Sequence, residues 1–63
     1  MAYKIREARE AKGWSQERLA EESQVSRSII SGLESGTVTS TTTGTLLKIA
    51  RALNRKLSEI FEE

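Results

Sequence analysis

The chain has 63 residues, with ten Lys and Arg against nine Glu and a net charge of +1. It is one small domain at most, burying roughly 60% of its unfolded surface. It holds no His, Cys, Asp or Pro. That excludes disulfide staples and the usual nitrogen and sulfur ligands of a metal site. A catalytic nucleophile and base would have to come from Ser, Lys, Tyr or Glu, and no motif arranges them.

No apolar run approaches the ~20 residues that span a bilayer, and the N-terminus has no signal-like apolar region. The expectation is a globular, non-enzymatic domain in a reducing, cytoplasmic setting. It is expected to have no cofactor, metal, small-molecule ligand or membrane contact.

Charge is distributed in blocks. Residues 1–12 carry Lys4, Arg6, Arg9 and Lys12 against Glu7 and Glu10, a net +2. Residues 15–36 carry Arg18 and Arg27 against Glu17, Glu21, Glu22 and Glu34, a net −2. Lys48, Arg51, Arg55 and Lys56 give +4, and Glu59, Glu62 and Glu63 give −3. No basic stripe results, so a nucleic-acid role must rest on geometry more than on bulk charge.

Ile5, Ala8 and Ala11 have helical spacing, and Gly13 after Lys12 suits a left-handed helix end. A first helix over about 3–12 follows. Trp14 is expected as core filler beside the turn. Ser15 is a natural N-cap for a short helix over about 16–23, lined by Leu19, Ala20 and Ser23. After Gln24 and Val25, Ser26 caps a third helix carrying Ile29, Ile30 and Leu33, which Gly36 closes.

The stretch TVTSTTTGT, residues 37–45, holds six threonines and one large apolar side chain, Val38. Thr and Val favour pleated structure, but a lone strand among helices has nothing to pair with. An ordered loop is expected instead, with its Thr42–Thr45 end facing a partner. The role of Thr37–Ser40 stays open. Leu46, Leu47, Ile49, Ala50 and Leu53 then form a fourth amphipathic face, ended by Asn54 in the left-handed conformation. Ser58 is expected to cap a last short turn with Ile60 in the core, Leu57 at an interface, and Phe61 at one or the other.

Helices 2 and 3 are short, capped and tightly joined, the pattern of a helix-turn-helix over about 15–35. The run IREAREAKGWSQERLAEESQVSRSIISGLESG, followed by TLLKIARALNRKLSEIF, resembles the phage repressor and Cro (Xre-like) family of DNA-binding domains. The resemblance covers about Ile5 to Phe61. It implies an all-α, five-helix, lambda-repressor-like domain that binds double-stranded operator DNA as a homodimer, with helix 3 in the major groove.

What the resemblance implies for single residues follows position by position. Gln16 matches the helix-2 Gln that contacts phosphate and braces base-reading side chains. Arg27 and Ser28 match the first exposed positions of the reading helix, with Ser31 and Gly32 one turn further on. Ser26, chiefly a cap, stands at the same DNA-facing end. Thr42, Thr43, Gly44 and Thr45 match the helix-4 start that lies against the DNA backbone. Arg9 and Glu34 match a partly buried ion pair between helices 1 and 3.

There are departures from the family pattern. Gln24 replaces the turn glycine, at a cost of ~1–2 kcal/mol if φ is positive. Gly32 replaces a groove-reaching side chain, weakens the helix by ~1 kcal/mol relative to Ala, and permits close backbone approach. Ile29 either packs on a thymine methyl or fills core. The basic residues of 48–56 read as a solvated helix face; the alternative is that Arg55 or Lys56 reaches DNA or a second subunit.

Residues 1–63 are thus expected to form a single domain, with no sensing or catalytic part, that regulates transcription by occupying an operator. Met1 and Glu63 are equally compatible with a whole regulator and a piece of a longer one. The alternative is a protein-binding module on the same fold, antitoxin-like or an adaptor. The low net charge, acidic helix 2 and neutral loop motivate it. Whether Gln16, Arg27 and Thr43 share one positive face discriminates the two.

Overall fold

The structure, a computed structural model, describes residues 3–38 and 41–60. Its helices are α1 (Ile5–Ala11), α2 (Gln16–Ser23), α3 (Arg27–Ser35), α4 (Thr43–Ala52) and α5 (Leu57–Ile60). Apart from an isolated bridge at Tyr3, all regular structure among the described residues is helical.

Punctuation residues set the boundaries. The Ser15 hydroxyl accepts from the Arg18 N–H at 3.0 Å, and that of Ser26 from the Ile29 N–H at 3.3 Å. Each satisfies one of the donors that a helix start leaves free. Gly13 (φ +72°) and Gly36 (φ +86°) turn the chain out of α1 and α3, a conformation that costs glycine nothing. Asn54 does the same after α4 at φ +56°.

Four expectations need correction. The first helix starts at Ile5, not residue 3, because Tyr3 is buried and the Lys4 N–H donates to the Ile60 carbonyl at 2.7 Å. That bond ties the start of the chain to α5. Ala11 is exposed. The inward position one turn after Ile5 is taken instead by Arg9, which reaches Glu34. Leu47 is 36% exposed, one step off the stripe of Leu46, Ile49, Ala50 and Leu53. Ser58 lies inside α5; the Glu59 carboxylate caps that turn by accepting from the Lys56 N–H at 2.8 Å.

The threonine-rich stretch divides rather than forming one loop. Thr37 and Val38 fold back on α3, where the Val38 N–H donates to the Gly32 carbonyl at 3.0 Å. Thr42 caps α4 by accepting from the Thr45 N–H at 3.2 Å, so Thr43, Gly44 and Thr45 are the first turn of a helix. Thr39 and Ser40 lie outside the described residues, as does Phe61.

One apolar cluster joins the elements. Ile5, Leu19, Ile30, Leu33, Ile49 and Ile60 are fully buried, with Leu46, Ala50 and Leu53 beside them. Val25 plugs the turn between α2 and α3. Trp14, Ala20, Ile29 and Leu57 pack on the cluster while half-buried. Trp14 is more than filler: the Lys12 ammonium stands over its ring at 4.9 Å and the Arg18 guanidinium at 5.0 Å, an attraction of cation to ring face. The Leu57 expected at an interface spends part of its surface on the core.

Gln24 adopts the left-handed conformation at φ +58° in the turn between α2 and α3. A side chain with a Cβ is strained there, whereas Asn at position 54 tolerates it through its short polar side chain. Gln24→Gly is therefore expected to stabilise by about 1 kcal/mol and raise the thermal midpoint by roughly 4–8 °C. Asn54→Gly is expected to change it little. Thermal unfolding of both variants checks the contrast.

Candidate nucleic-acid interface

A buried carboxylate braces α3 at its last turn. Glu34 is 1% exposed and takes the guanidinium of Arg9 through two bonds, Nε to Oε2 at 2.8 Å and Nη2 to Oε1 at 3.0 Å. Gln16 donates its Nε2 to Glu34 Oε1 at 3.1 Å, and the Arg6 Nε stands 3.5 Å from the same oxygen. Arg9 also donates from Nη1 to the Trp14 carbonyl at 2.7 Å. A single carboxylate thus links α1, the turn after it, the start of α2 and the last turn of α3. The expected Arg9–Glu34 pair is present, with three further bonds around it.

Burial alone would push the Glu34 carboxyl up. The hydrogen bonds from Arg9 and Gln16, the Arg9 charge and the Arg6 bond outweigh it and hold the carboxyl below its ordinary 4.5. The Arg9 guanidinium is raised by its bond to Glu34, against its own desolvation. Both shifts favour the charged pair.

Above this brace lies the outer face of α3. Arg27, Ser28 and Ser31 are exposed, and Thr37 is exposed beside them. With Gly32 and Val38 they line one open groove. Arg27 stands 3.8 Å from Glu17, and both side chains are well exposed. That contact joins the first turns of α2 and α3, next to Gln16. Gln16 itself is half-buried: one amide hydrogen goes to Glu34, and its second has no partner among the described residues. Ser26 spends its hydroxyl as a cap.

The start of α4 is a separate group. Thr42 and Thr45 hydroxyls bond each other at 2.9 Å. Thr43 and Gly44 are exposed, and their N–H groups, which a helix start leaves open, have no partner among the described residues, since the Thr42 cap takes that of Thr45. No hydrogen bond or ion pair among the described residues joins this group to Arg27 or Gln16. The face around α3 is polar with one cation, rather than strongly positive.

Two glycines of the set differ in their reason. A Cβ on Gly32 would stand 2.5 Å from Val38 Cγ2 and 3.1 Å from Val38 Cβ. The close backbone approach that Gly32 permits is therefore made by the protein's own chain. Among the described residues, a Cβ on Gly44 would meet only Thr42 Oγ1, at 4.0 Å, so none of them requires glycine there. Val38 is the residue of this face that the sequence reading left without a role. The gap at Gly32, six positions earlier in the chain, is its only signal.

Residues 5–60 match the helix-turn-helix family, from the first residue of α1 to the last of α5, and the chain belongs to that family. Its five helices, with the tight turn between α2 and α3, are the all-α, lambda-repressor-like form of the fold. The family is one of DNA-binding regulators of transcription, and membership points to that class of function. No curated protein matches the chain. No helix among the described residues is long and apolar enough to cross a membrane.

Two outcomes are expected from this geometry. Gly44→Ala should stabilise, by up to about 1 kcal/mol. Gly32→Ala should destabilise, because crowding of about 1–3 kcal/mol exceeds that gain, and Val38→Ala should relieve much of the loss. Thermal unfolding of the single variants and of the Gly32→Ala, Val38→Ala double variant checks both signs.

The second outcome concerns acid. The folded state depresses the Glu34 carboxyl, so its stabilising contribution is present above the unfolded value of 4.5 and is lost as pH falls through the lower folded value. Glu34→Gln is expected to lose about 3 kcal/mol at neutral pH. It should also lose less than the parent on further acidification from roughly pH 5 to 3. Urea titrations across that range measure it.

Proposed function

We propose that this protein is a sequence-specific regulator of transcription, a repressor of the phage repressor and Cro kind that binds operator DNA as a homodimer in the cytoplasm. In this reading residues 1–63 act as one domain, and α3 enters the major groove. The supporting observation is Arg27. It stands exposed at the first residue of α3, has no core role, and has Ser28 and Ser31 on the same open groove. An Arg in that place donates two hydrogen bonds to O6 and N7 of guanine.

The other residues serve position. Gln16 offers its remaining amide hydrogen to a phosphate while bracing Glu34. Ser26, at the cap, and the start of α3 present a partly positive helix end to the backbone. At the second helix start, Thr42, Thr43, Gly44 and Thr45 form a contact surface whose outward donors are the N–H groups of Thr43 and Gly44, and Gly44 lets a phosphate approach closely. Ser28 and Ser31 supply hydroxyls to base edges, and Gly32 yields its place on this DNA-facing groove to Val38.

Two observations favour the alternative, an antitoxin-like or adaptor module that binds protein: the face around α3 is not strongly positive, and its cations have carboxylate neighbours. Both cations of α2 and α3 are answered within the chain, Arg18 by Glu22 at 2.9 Å and Arg27 by Glu17 at 3.8 Å. These are exposed contacts of little energy, and a guanine or a phosphate competes with them readily. The DNA reading is therefore the stronger.

Selection from a randomised duplex pool at two salt concentrations tests it. A palindromic site is expected, with half-sites ~34 Å apart. Affinity should fall by about 0.9 in the logarithm per contacted phosphate for each tenfold rise in salt. Arg27→Ala should weaken binding roughly tenfold to a hundredfold and relax the preference for one guanine. Failure to enrich any sequence, even at low salt, would reject the DNA reading and turn the search to partner proteins.

A further inference from the structure

We propose that Val38, a residue of the segment after α3, reads a thymine methyl in place of the side chain that Gly32 lacks. The inference rests on the reading that α3 enters the major groove. Gly32 lies one turn beyond Ser28, on the face that also bears Ser31. The first atom of a side chain at 32 would stand 2.5 Å from Val38 Cγ2. The valine methyl therefore occupies the start of the path that a side chain from position 32 would take. It belongs to a different segment of the chain but reaches the same place.

The placement is held. Gly36 reverses the chain at φ +86°. The N–H groups of Gly36 and Val38 both donate to the Gly32 carbonyl, each at 3.0 Å. The Ser35 and Thr37 hydroxyls bond each other and fasten the intervening turn. Val38 has a β-branched side chain with few rotamers, and part of it packs against the core cluster. Its remaining surface is a fixed apolar spot and not a mobile tip.

Chemistry then selects the ligand group. The groove is lined by Arg27, Ser28, Ser31, Gly32, Thr37 and Val38. Among the described residues that line it, Val38 alone has a wholly hydrocarbon side chain. Ile29, the other candidate for such a contact, packs on the core and does not line the groove. On the floor of the major groove the one apolar group is the C5 methyl of thymine. The apolar spot on the protein and the apolar group on the base match. Arg27 and Val38 together would read a guanine and a thymine within one half-site.

The test uses the duplex recovered by selection, with each thymine replaced in turn by uracil, which lacks only the C5 methyl. Wild-type protein is expected to lose about three- to fivefold in affinity at one uracil position per half-site, the value of about one buried methyl-sized group. Val38→Ala should bind the thymine and uracil duplexes alike at that position, while Arg27→Ala keeps the difference. Val38→Thr, equal in shape but hydroxylated, should also lose the preference, and it serves if the alanine variant loosens the segment.

Equal binding of every uracil duplex by the wild type would overturn the proposal. So would an unchanged uracil penalty in both Val38 variants. In those two cases the DNA reading survives as long as Arg27→Ala still impairs binding. If no duplex is selected at all, the DNA reading fails, and the role of Val38 fails with it.

Discussion

Glu34 is the constraint on which the rest of the structure depends. A carboxylate 1% exposed to solvent is costly to bury unless its oxygens are fully answered. Answering them brings Arg9 and Arg6 from α1 and Gln16 from the start of α2 to the last turn of α3. The same Arg9 then holds the Trp14 carbonyl and so the turn between α1 and α2. Apolar contacts supply most of the stabilisation in a core of this kind, but they are non-directional. The Glu34 cluster is directional, and it fixes the rotation of α3 about its axis. That rotation decides which residues of α3 face outward. A 63-residue domain has about 3–9 kcal/mol of total stability, so a loss of about 3 kcal/mol at this one group is a third of it or more.

The outward face has an unusual division of labour. Its polar atoms come from α3, through Arg27, Ser28 and Ser31, while its hydrocarbon comes from the returning chain at Val38. Glycine at 32 makes that possible, because any side chain there would displace Val38. The helix gives up about 1 kcal/mol of propensity for it. Apolar burial and the hydrogen bond from the Val38 N–H to Gly32 offset that cost. A local sequence that weakens a helix is thus explained by a contact six residues away.

Charge placement separates two regions with different prospects. The cations of α2 and α3 have carboxylate neighbours within the chain, which lowers the general attraction of this face for polyanions. Binding there must come from geometry and from individual hydrogen bonds more than from a diffuse field. Lys48, Arg51, Arg55 and Lys56 are exposed along α4 and the turn after it, and they line shallow surface grooves away from Arg27. Their +4 balances the acidic blocks elsewhere and leaves the chain near neutrality.

The sequence by itself determined what depends on neighbours along the chain. Ser15 and Ser26 before apolar periods marked helix starts, Gly13, Gly36 and Asn54 marked helix ends, and the short spacing between α2 and α3 marked their tight turn. Capping bonds and left-handed conformations involve residues at most a few positions apart, so local pattern suffices. The Arg9–Glu34 pair was also legible, though only through resemblance to a known family. Tertiary structure alone decided the rest. It buried Tyr3 and tied Lys4 to Ile60 of α5, turned Ala11 outward so that Arg9 could turn in, split the threonine stretch between α3 and α4, and filled the space over Gly32 with Val38. Each of these depends on where distant segments meet in space. A spacing rule along one helix carries no information about what the neighbouring segment places beside it.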